Sequence, residues 1–225
     1  HIAQAMIEAE DYQGAVNHLL PVVQLGKKFE AADVALYTLA QAYEGAGSSE
    51  SHILWKRLVE DFPDSPFHDE ARLSQAQSLV KKEPAQAQGL FKELAKEAKA
   101  DVRDTALLGL AKAYEAEHKI DDARALYYDV IESATNENTI AQAKDRLTEI
   151  NTELLWSPVL DEFCELYEIQ RGDAPITIAA AHKTTAWFIL EANNLGKTLR
   201  PGKKIKVPKE PLRIVVDKSN CRLNL

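Results

Sequence analysis

The chain has 225 residues, 45% of them hydrophobic and 28% charged, with a formal net charge of −8 at pH 7. This composition is ordinary for a folded globular protein and excludes a largely disordered chain. No stretch reaches the roughly 18 apolar residues of a membrane span, and the start, HIAQAMIEAE, has neither an initiator Met nor a signal-peptide pattern. We therefore expect a fragment or processed form without a membrane span, whose signal sequence is not in this chain.

Charge is distributed unevenly along the sequence. Residues 1–165 hold 16 Lys+Arg against 30 Asp+Glu, whereas residues 166–225 hold 11 against 5. Such a step suggests two units of different character. Neither balance supports a nucleic-acid partner, because no aromatic platform or known nucleic-acid module accompanies the charges.

Residues 1–156 are predicted to be helical. They are rich in Ala, Leu, Gln, Glu and Lys, with apolar residues at helical spacing. Gly or Pro interrupts the pattern at GAG (45–47), FPDSP (62–66) and KKEP (81–84), where we expect the chain to turn between helices.

The helical segment also repeats itself at a spacing of 36 residues. Three sets of positions agree in character: Val22, Leu58, Leu94 and Val130; Leu19, Trp55, Phe91 and Tyr127; Ala15, Ser51, Ala87 and Ala123. LAQAYE (39–44) is matched by LAKAYE (110–115). Each unit is predicted to be a helix-turn-helix that buries its apolar face against its neighbours, with the recurring aromatic residues in the core.

These residues resemble the tetratricopeptide-repeat family over about residues 1–135. The family pattern is met best by Leu107, Leu110, Ala111, Tyr114, Ala123, Tyr127 and Val130. The resemblance implies a right-handed superhelix, closed by a final solvating helix at residues 137–158, with a concave face for an unknown protein partner. Related helical repeats stay open as an alternative, as does a plain spacer or oligomerisation role.

After Leu166 the pattern becomes that of a small mixed module. LYEIQ (166–170) predicts a strand, and APITIAAAH (174–182) predicts a helix with Pro175 in its first turn and Asp173 as its N-cap. TTAWFILEANN (184–194) predicts a second helix capped by Thr184 or Thr185, and a Pro-Gly turn leads into the strand KIKVP (204–208). The order is therefore strand, helix, helix and strand.

This module resembles the LysM domain, which binds polysaccharides containing N-acetylglucosamine. The residues at family spacing are Tyr167, Gly172-Asp173, Ile178-Ala179, Thr184-Thr185, Ile189-Leu190, Asn193-Asn194-Leu195, Leu199, Pro201-Gly202, Ile205 and Pro208. The resemblance implies that the tripeptide Arg171-Gly172-Asp173 is the Gly-Asp turn of the family and not a cell-adhesion signal.

The resemblance also implies a shallow sugar groove between two loops, in which closely approaching backbone binds the acetamido group. Carried over by position, the glycan-binding residues are Gly172, Asp173, Ala174, Pro175 and Ile176 on one side, and Asn194, Leu195 and Gly196 on the other. Ala174 stands where Thr is common, which removes one hydroxyl contact. The alternative is that Asp173 is only a helix cap and that Asn193 and Asn194 only end a helix.

Trp187 and Phe188 occupy positions that are usually polar and exposed in the family. We expect these two side chains to pack against the helical half of the chain.

The tail, PLRIVVDKSNCRLNL (211–225), alternates apolar and polar residues around a turn at residues 218–220, which predicts a β-hairpin. It resembles the opening hairpin of the L,D-transpeptidase catalytic domain. The resemblance implies that the chain stops before the catalytic Cys and His, so we expect no enzyme activity here, and Cys221 is not the nucleophile. Whether Cys164 and Cys221, which flank the LysM-like module, pair in an oxidising envelope is left open by the sequence.

Motifs for cofactors or metals do not appear. EANNLGKT (191–198) lacks the first Gly of a phosphate-binding loop and follows a helix instead of a strand. The six histidines show no HExxH or paired spacing, so neither a cofactor nor a metal site is expected.

The sequence thus predicts a mainly α chain: a tetratricopeptide-like helical-repeat superhelix at 1–160, a βααβ LysM domain at 165–209 and a hairpin stub at 210–225. The predicted function is peptidoglycan or chitin-like glycan binding in a bacterial cell envelope, periplasm or cell wall. The chain would be the non-catalytic part of an L,D-transpeptidase. The alternative is a scaffold protein in which the LysM unit binds no sugar and the helical repeats bind a protein partner.

Overall fold

A computed structural model describes residues 1–48, 50–97, 99–196, 198–211, 215–217 and 222–224. The chain divides into two compact units, His1–Ala143 and Lys144–Leu225. The domain boundaries expected from the sequence, at 1–160, 165–209 and 210–225, remain predictions.

The first unit is built from helices. They are α1 (Ile2–Glu8), α2 (Tyr12–Gln24), α3 (Ala32–Gly45), α4 (Ser51–Asp61), α5 (His68–Leu79), α6 (Pro84–Glu97), α7 (Ala100–Ala116), α8 (Ile120–Ser133) and the beginning of α9 (Glu137–Leu155). From α1 to α8 each helix packs on the next, and α5 also packs on α7. The predicted helical character of this part of the chain is confirmed.

The core of this unit contains the residues that recur at the 36-residue spacing. Trp55, Phe91 and Tyr127 are at most 1% exposed, and they lie on α4, α6 and α8. Leu58, Leu94, Val130, Ala15, Ala87 and Ala123 are fully buried beside them. The prediction that the recurring aromatic residues belong to the core is therefore confirmed.

The polar tips of two of these aromatic residues are paired with glutamates from the preceding helix. The Trp55 indole N–H donates to Glu44 at 3.2 Å, and the Tyr127 hydroxyl donates to Glu115. Both glutamates end the matching hexapeptides of the sequence repeat. Burial raises the pKa of Glu44, and the hydrogen bond from Trp55 opposes this rise only in part. Phe91 has no polar tip and needs no such acceptor.

Asp104 on α7 holds the loop between α8 and α9. Its fully buried carboxylate accepts from the Thr135 N–H at 2.7 Å, from the Thr135 hydroxyl at 3.0 Å and from the Asn136 N–H at 3.4 Å. Burial disfavours the charged form of Asp104, but these bonds and one from Arg103 outweigh it, and the pKa is lowered. The beginning of α9 is thereby tied to α7.

The second unit contains a strand-helix-helix-strand module. Its elements are β1 (Cys164–Glu168), α10 (Pro175–Ala181), α11 (Ala186–Glu191) and β2 (Lys204–Pro208). The strands β1 and β2 pair antiparallel with Tyr167 opposite Ile205, and α10 packs on α11. Ile178, Ile189 and Val207 form the centre of a core that the two strands and two helices share. The predicted fold class, mainly helical with a small antiparallel sheet at this position, is confirmed.

Two boundaries of this module differ from the sequence expectation. The strand β1 begins at Cys164, two residues earlier than predicted, because its ladder with β2 extends to the pair Cys164 and Pro208. The prediction that Asp173 is the N-cap of α10 is wrong. The cap is Ala174, whose backbone is extended, with φ −125° and ψ 154°, so that Asp173 lies one residue before the cap.

Other elements follow the prediction closely. Thr185 caps α11 and accepts from the Phe188 N–H at 3.0 Å. Gly202, in the Pro-Gly turn before β2, has a φ of +83°, a conformation that glycine adopts without strain.

The tail contains a second antiparallel pair. The strands β3 (Val215–Asp217) and β4 (Arg222–Asn224) pair with Val216 opposite Leu223, as the hairpin prediction requires. The predicted turn at residues 218–220 and Cys221 lie outside the described residues.

None of the helices in the described part of the chain is long and apolar enough to cross a membrane.

Candidate functional site

The loop after β1 is held by the Asp173 carboxylate. This group accepts from the Gln170 N–H at 2.7 Å and from the Tyr167 hydroxyl at 2.9 Å. Gly172 is exposed and has a φ of +99°, where a residue with a side chain would be strained. The Gly-Asp pair is therefore a turn fixed by the strand that precedes it.

The same contacts show what the Arg171-Gly172-Asp173 tripeptide does locally. Its carboxylate is engaged within the domain, and the hydrogen bond to Asp173 raises the pKa of Tyr167. The Tyr167 ring also packs edge-on against His182, with ring centroids 5.5 Å apart. The tripeptide thus has a structural role in the turn just before the N-terminus of α10.

The start of α10 is completed by Thr177 instead of Asp173. The Ala174 N–H donates to the Thr177 hydroxyl oxygen at 3.0 Å, and that hydroxyl donates back to the Ala174 carbonyl at 2.8 Å. Pro175 is the first residue of the helix, and Ile176 follows with 68% of its surface exposed. The first turn of α10 therefore presents an apolar side chain to solvent.

The loop after α11 is anchored by Asn193. Its side-chain amide donates to the Ile189 carbonyl at 3.0 Å and to the Lys206 carbonyl at 2.8 Å, and accepts from the Lys206 N–H at 2.6 Å. Asn193 is buried, so it does more than end a helix: it ties the loop to β2.

The predicted site residues Asn194, Leu195 and Gly196 follow directly. Asn194 is exposed in a left-handed conformation with φ +48°, and Leu195 packs against the domain core, whereas Gly196 is exposed. Within the described residues, the backbone N–H groups of Gly172, Ile176 and Gly196 have no hydrogen-bond acceptor. In the described part of the chain, each of the two predicted loops therefore has one glycine whose backbone N–H has no hydrogen-bond acceptor. Assignment of a glycan groove to these loops stays a prediction.

Sequence reasoning missed a buried ion pair on the outer face of the sheet. The Lys206 side chain is fully buried, and its Nζ lies 2.5 Å from Asp161 Oδ2 and 2.8 Å from the Leu154 carbonyl oxygen. Burial disfavours the charged form of Asp161, but the hydrogen bond and charge of Lys206 outweigh it and lower its pKa. No local signal marked these residues, because Lys206 alternates with core residues in KIKVP as a solvated side chain would.

Cys164 lies beside this pair. The thiol is free and buried, and burial raises its pKa to about 11. A group so rarely ionised is a poor nucleophile. The pairing with Cys221, which the sequence left open, involves a residue outside the described ones.

Trp187 and Phe188 both contact Trp156, which follows α9. The ring centroids of Trp156 and Trp187 are 4.8 Å apart, and those of Trp156 and Phe188 are 5.6 Å apart. Phe188 is buried, whereas Trp187 remains 59% exposed. Trp156 belongs to the same compact unit as Trp187 and Phe188, so the expected packing against the helical half stays a prediction.

No group of three or more His, Cys, Asp or Glu side chains is placed to hold a metal ion in the part of the chain that the structure describes.

The LysM domain model matches residues 167–208 of this chain. No curated protein matches this chain. The matched segment begins in β1, contains the Gly-Asp turn and both short helices, and ends with β2. Residues 167–208 are therefore a LysM domain, as predicted.

LysM is a class of binding domain, not a catalytic one, and its ligands are peptidoglycan and related glycans. LysM domains occur in cell-envelope or extracellular proteins, which suggests an envelope association for this chain.

Proposed function

We propose that this chain binds peptidoglycan or a chitin-like glycan through its LysM domain, in the periplasm or cell wall of a bacterial envelope. The observation that carries the proposal is the LysM match at residues 167–208, which has its Gly172-Asp173 turn intact. No cofactor is required for such binding.

The unused backbone donors on the two loops support a specific mode of binding. An acetamido oxygen is a strong acceptor, and a donor exposed on a rigid loop needs little reorganisation to meet it. Ile176 offers apolar surface for a sugar ring. The proposed contact residues are Gly172, Asp173, Ala174, Pro175, Ile176, Asn194, Leu195 and Gly196. Asp173 acts in this set by holding the turn, since its carboxylate is already bonded to Tyr167 and Gln170.

The proposal is tested by sedimentation of the chain with insoluble peptidoglycan and with chitin. We expect Ile176→Asp to reduce retention about tenfold, because it places a charge where a sugar ring would lie. Ile53→Asp is the matched control: Ile53 is also exposed, at 56%, but lies on α4 of the helical unit, and this variant should be retained like the parent chain. Equal loss in both variants would contradict the predicted groove.

Salt separates a groove from simple charge attraction. Residues 166–225 carry 11 Lys+Arg against 5 Asp+Glu, which would attract an anionic wall polymer without any groove. Binding by backbone hydrogen bonds should persist at about 0.5 M salt, where the Debye length is only a few Å.

We further propose that the helical region serves as a protein-interaction region and that the chain is the non-catalytic part of an L,D-transpeptidase for peptidoglycan cross-linking. The stacked helices and the sequence resemblance of the tail favour this, as does the pairing of β3 with β4. Mass spectrometry after incubation with a peptidoglycan stem peptide should find no acyl adduct on this chain.

A scaffold role is the second candidate. Ala174 in place of the common Thr removes one hydroxyl contact to a sugar. If the parent chain is not retained by either glycan, the helical unit becomes the functional surface.

A further inference from the structure

A groove of about 710 Å³ lies on the helical unit, entirely within His1–Ala143. Its walls come from the end of α5 and the loop after it, from the middle of α7 and from the beginning of α9. The Asp104 bonds to Thr135 and Asn136 hold the α9 side of the groove in place. The volume lies in the range of about 300–1,000 Å³ that is usual for ligand sites.

The groove is basic although the unit that contains it is acidic. Residues 1–143 hold 14 Lys+Arg against 24 Asp+Glu, so a surface of average composition would present mostly carboxylates. The described residues that line the groove instead include Lys81, Lys82 and Lys112 and contain no Asp or Glu. Three lysines without a lining carboxylate select for a negatively charged ligand.

These lysines are available to such a ligand. Lys81 and Lys82 are exposed, and neither makes an ion pair with any side chain in the described part of the molecule. Among the residues that the structure describes, Lys112 donates to the neutral amide oxygen of Gln142, at 3.3 Å, and forms no ion pair. A carboxylate could replace that amide as a stronger, charge-assisted acceptor.

The other polar side chains that line the groove can form hydrogen bonds with a peptide backbone. The side chains of Gln77, Asn138 and Gln142 are exposed on the groove, and each primary amide can both donate to a carbonyl and accept from an N–H. An extended peptide presents these two groups alternately along its length. A small inorganic anion would bind to the lysines and make no use of these amide donors.

We propose that this groove binds an extended acidic peptide segment of a partner protein, whose carboxylates meet Lys81, Lys82 and Lys112 while its backbone bonds to the side-chain amides. This inference rests on the proposed interaction role of the helical region, and adds the place and the chemistry of the ligand. It is independent of glycan binding by the LysM domain.

The test uses the whole chain and a fluorescently labelled octapeptide of alternating Glu and Ser, with binding followed by fluorescence anisotropy. The combined variant Lys81→Ala, Lys82→Ala and Lys112→Ala should weaken binding about tenfold or more. The matched control Lys28→Ala, Lys96→Ala and Lys144→Ala removes the same charge from exposed positions outside the groove and should bind like the parent chain. An otherwise identical peptide with Gln for Glu should bind about tenfold more weakly than the acidic one.

Carbodiimide cross-linking gives a second measurement that does not depend on affinity. Peptide carboxylates joined to lysine amines should be found by mass spectrometry on Lys81, Lys82 or Lys112. Cross-links spread over the control lysines, or equal weakening in both triple variants, would mean attraction without a site and would overturn the proposal.

Other outcomes separate the inference from the proposals on which it rests. Equal binding of the peptide by the parent chain and both triple variants would remove the groove but leave the interaction role of the helical unit. No binding of the acidic peptide by the parent chain would overturn the assigned ligand class. Retention of the groove variant on peptidoglycan tests the LysM domain alone and should equal that of the parent chain.

Discussion

Lys206 is a fully buried lysine in the second compact unit, Lys144–Leu225, which we call the LysM unit. It lies on β2 opposite Leu166, on the face of the sheet that points away from α10 and α11. The Leu154 carbonyl lies near the end of α9, and Asp161 lies in the segment after that helix. Both bond to the Lys206 ammonium group and so stabilise it in its buried position. A buried lysine without such partners would lose its proton or leave the interior.

We expect Lys206→Met to lower the free energy of unfolding of the LysM unit by about 3 kcal/mol, because it leaves the Asp161 carboxylate with a buried, unpaired charge. Adding Asp161→Asn should recover part of that loss, since the amide carries no charge. Lys204→Met is the control on the same face of the same strand, where the lysine is exposed. Chemical denaturation followed by Trp156 and Trp187 fluorescence measures all four chains, and a double variant no more stable than Lys206→Met would contradict the ion pair.

The pH dependence of the same pair has a definite sign. The pKa of Asp161 is lower in the folded chain than in the unfolded one, so the pair stabilises above the unfolded value of about 3.9 and is lost as pH falls through the folded value. The difference in unfolding free energy between the parent chain and Asp161→Asn should therefore be constant near neutral pH and shrink below about pH 4. A difference that grows on acidification would show the opposite shift.

At the scale of elements, the close approach of α6 and α7 depends on one glycine. A Cβ built on Gly109 would lie 2.4 Å from the Phe91 ring, whereas one built on Gly89 of α6 would meet nothing within 4 Å. Both residues lie inside helices, where glycine by itself costs stability. Only the glycine on α7 is required by packing.

The two glycines therefore predict opposite effects. Gly109→Ala should destabilise the helical unit by about 1–3 kcal/mol, because the buried Phe91 ring must move. Gly89→Ala should stabilise it by about 0.5–1 kcal/mol through helix propensity. Thermal unfolding of the two variants beside the parent chain decides the point, and a shift of the same sign in both would contradict this account of the α6–α7 contact.

At the scale of the whole molecule, the chain is two compact units with separate cores. Phe91 belongs to a cluster of the helical unit, and Ile189 belongs to the core of the LysM unit. Each is fully buried. The glycan and peptide sites proposed above lie on different units, so the two activities should respond to different cores.

We expect Phe91→Ala to destabilise the helical unit by about 3–5 kcal/mol and to leave retention on peptidoglycan unchanged. Ile189→Ala should have the reverse pattern, with about 2–5 kcal/mol lost from the LysM unit and retention reduced when that unit unfolds. Sedimentation at a series of temperatures, with circular dichroism in parallel, measures both. Loss of retention in step with helical-unit unfolding would show that the units are coupled.

Much of this architecture follows from local patterns. The burial of Trp55, Phe91 and Tyr127 could be predicted because periodicity in a helix assigns each residue to a face. The capping role of Thr185 could be predicted because it needs only three neighbouring residues. The LysM match could be predicted because the turn and core residues typical of that domain occur at a fixed spacing within one short segment.

Contacts between residues that are not neighbours in a sequence pattern decided the roles of Asp173 and Lys206. Asp173 was expected to cap α10, but the helix starts at Pro175 with Ala174 as its N-cap, and the Asp173 carboxylate accepts from Tyr167 and Gln170 instead. The alternation in KIKVP does not indicate that Lys206 is buried, yet its Nζ bonds to the Leu154 carbonyl near the end of α9 and to Asp161.

The basic groove is the clearest case of this division. The sequence by itself determined that residues 1–143 are helical and acidic, because propensity, periodicity and charge are properties of neighbouring residues and sums. It could not determine the sign of one surface within that unit. Lys81 and Lys112 are 31 positions apart in the sequence, and they line the same groove only because packing of α5, α7 and α9 places them there.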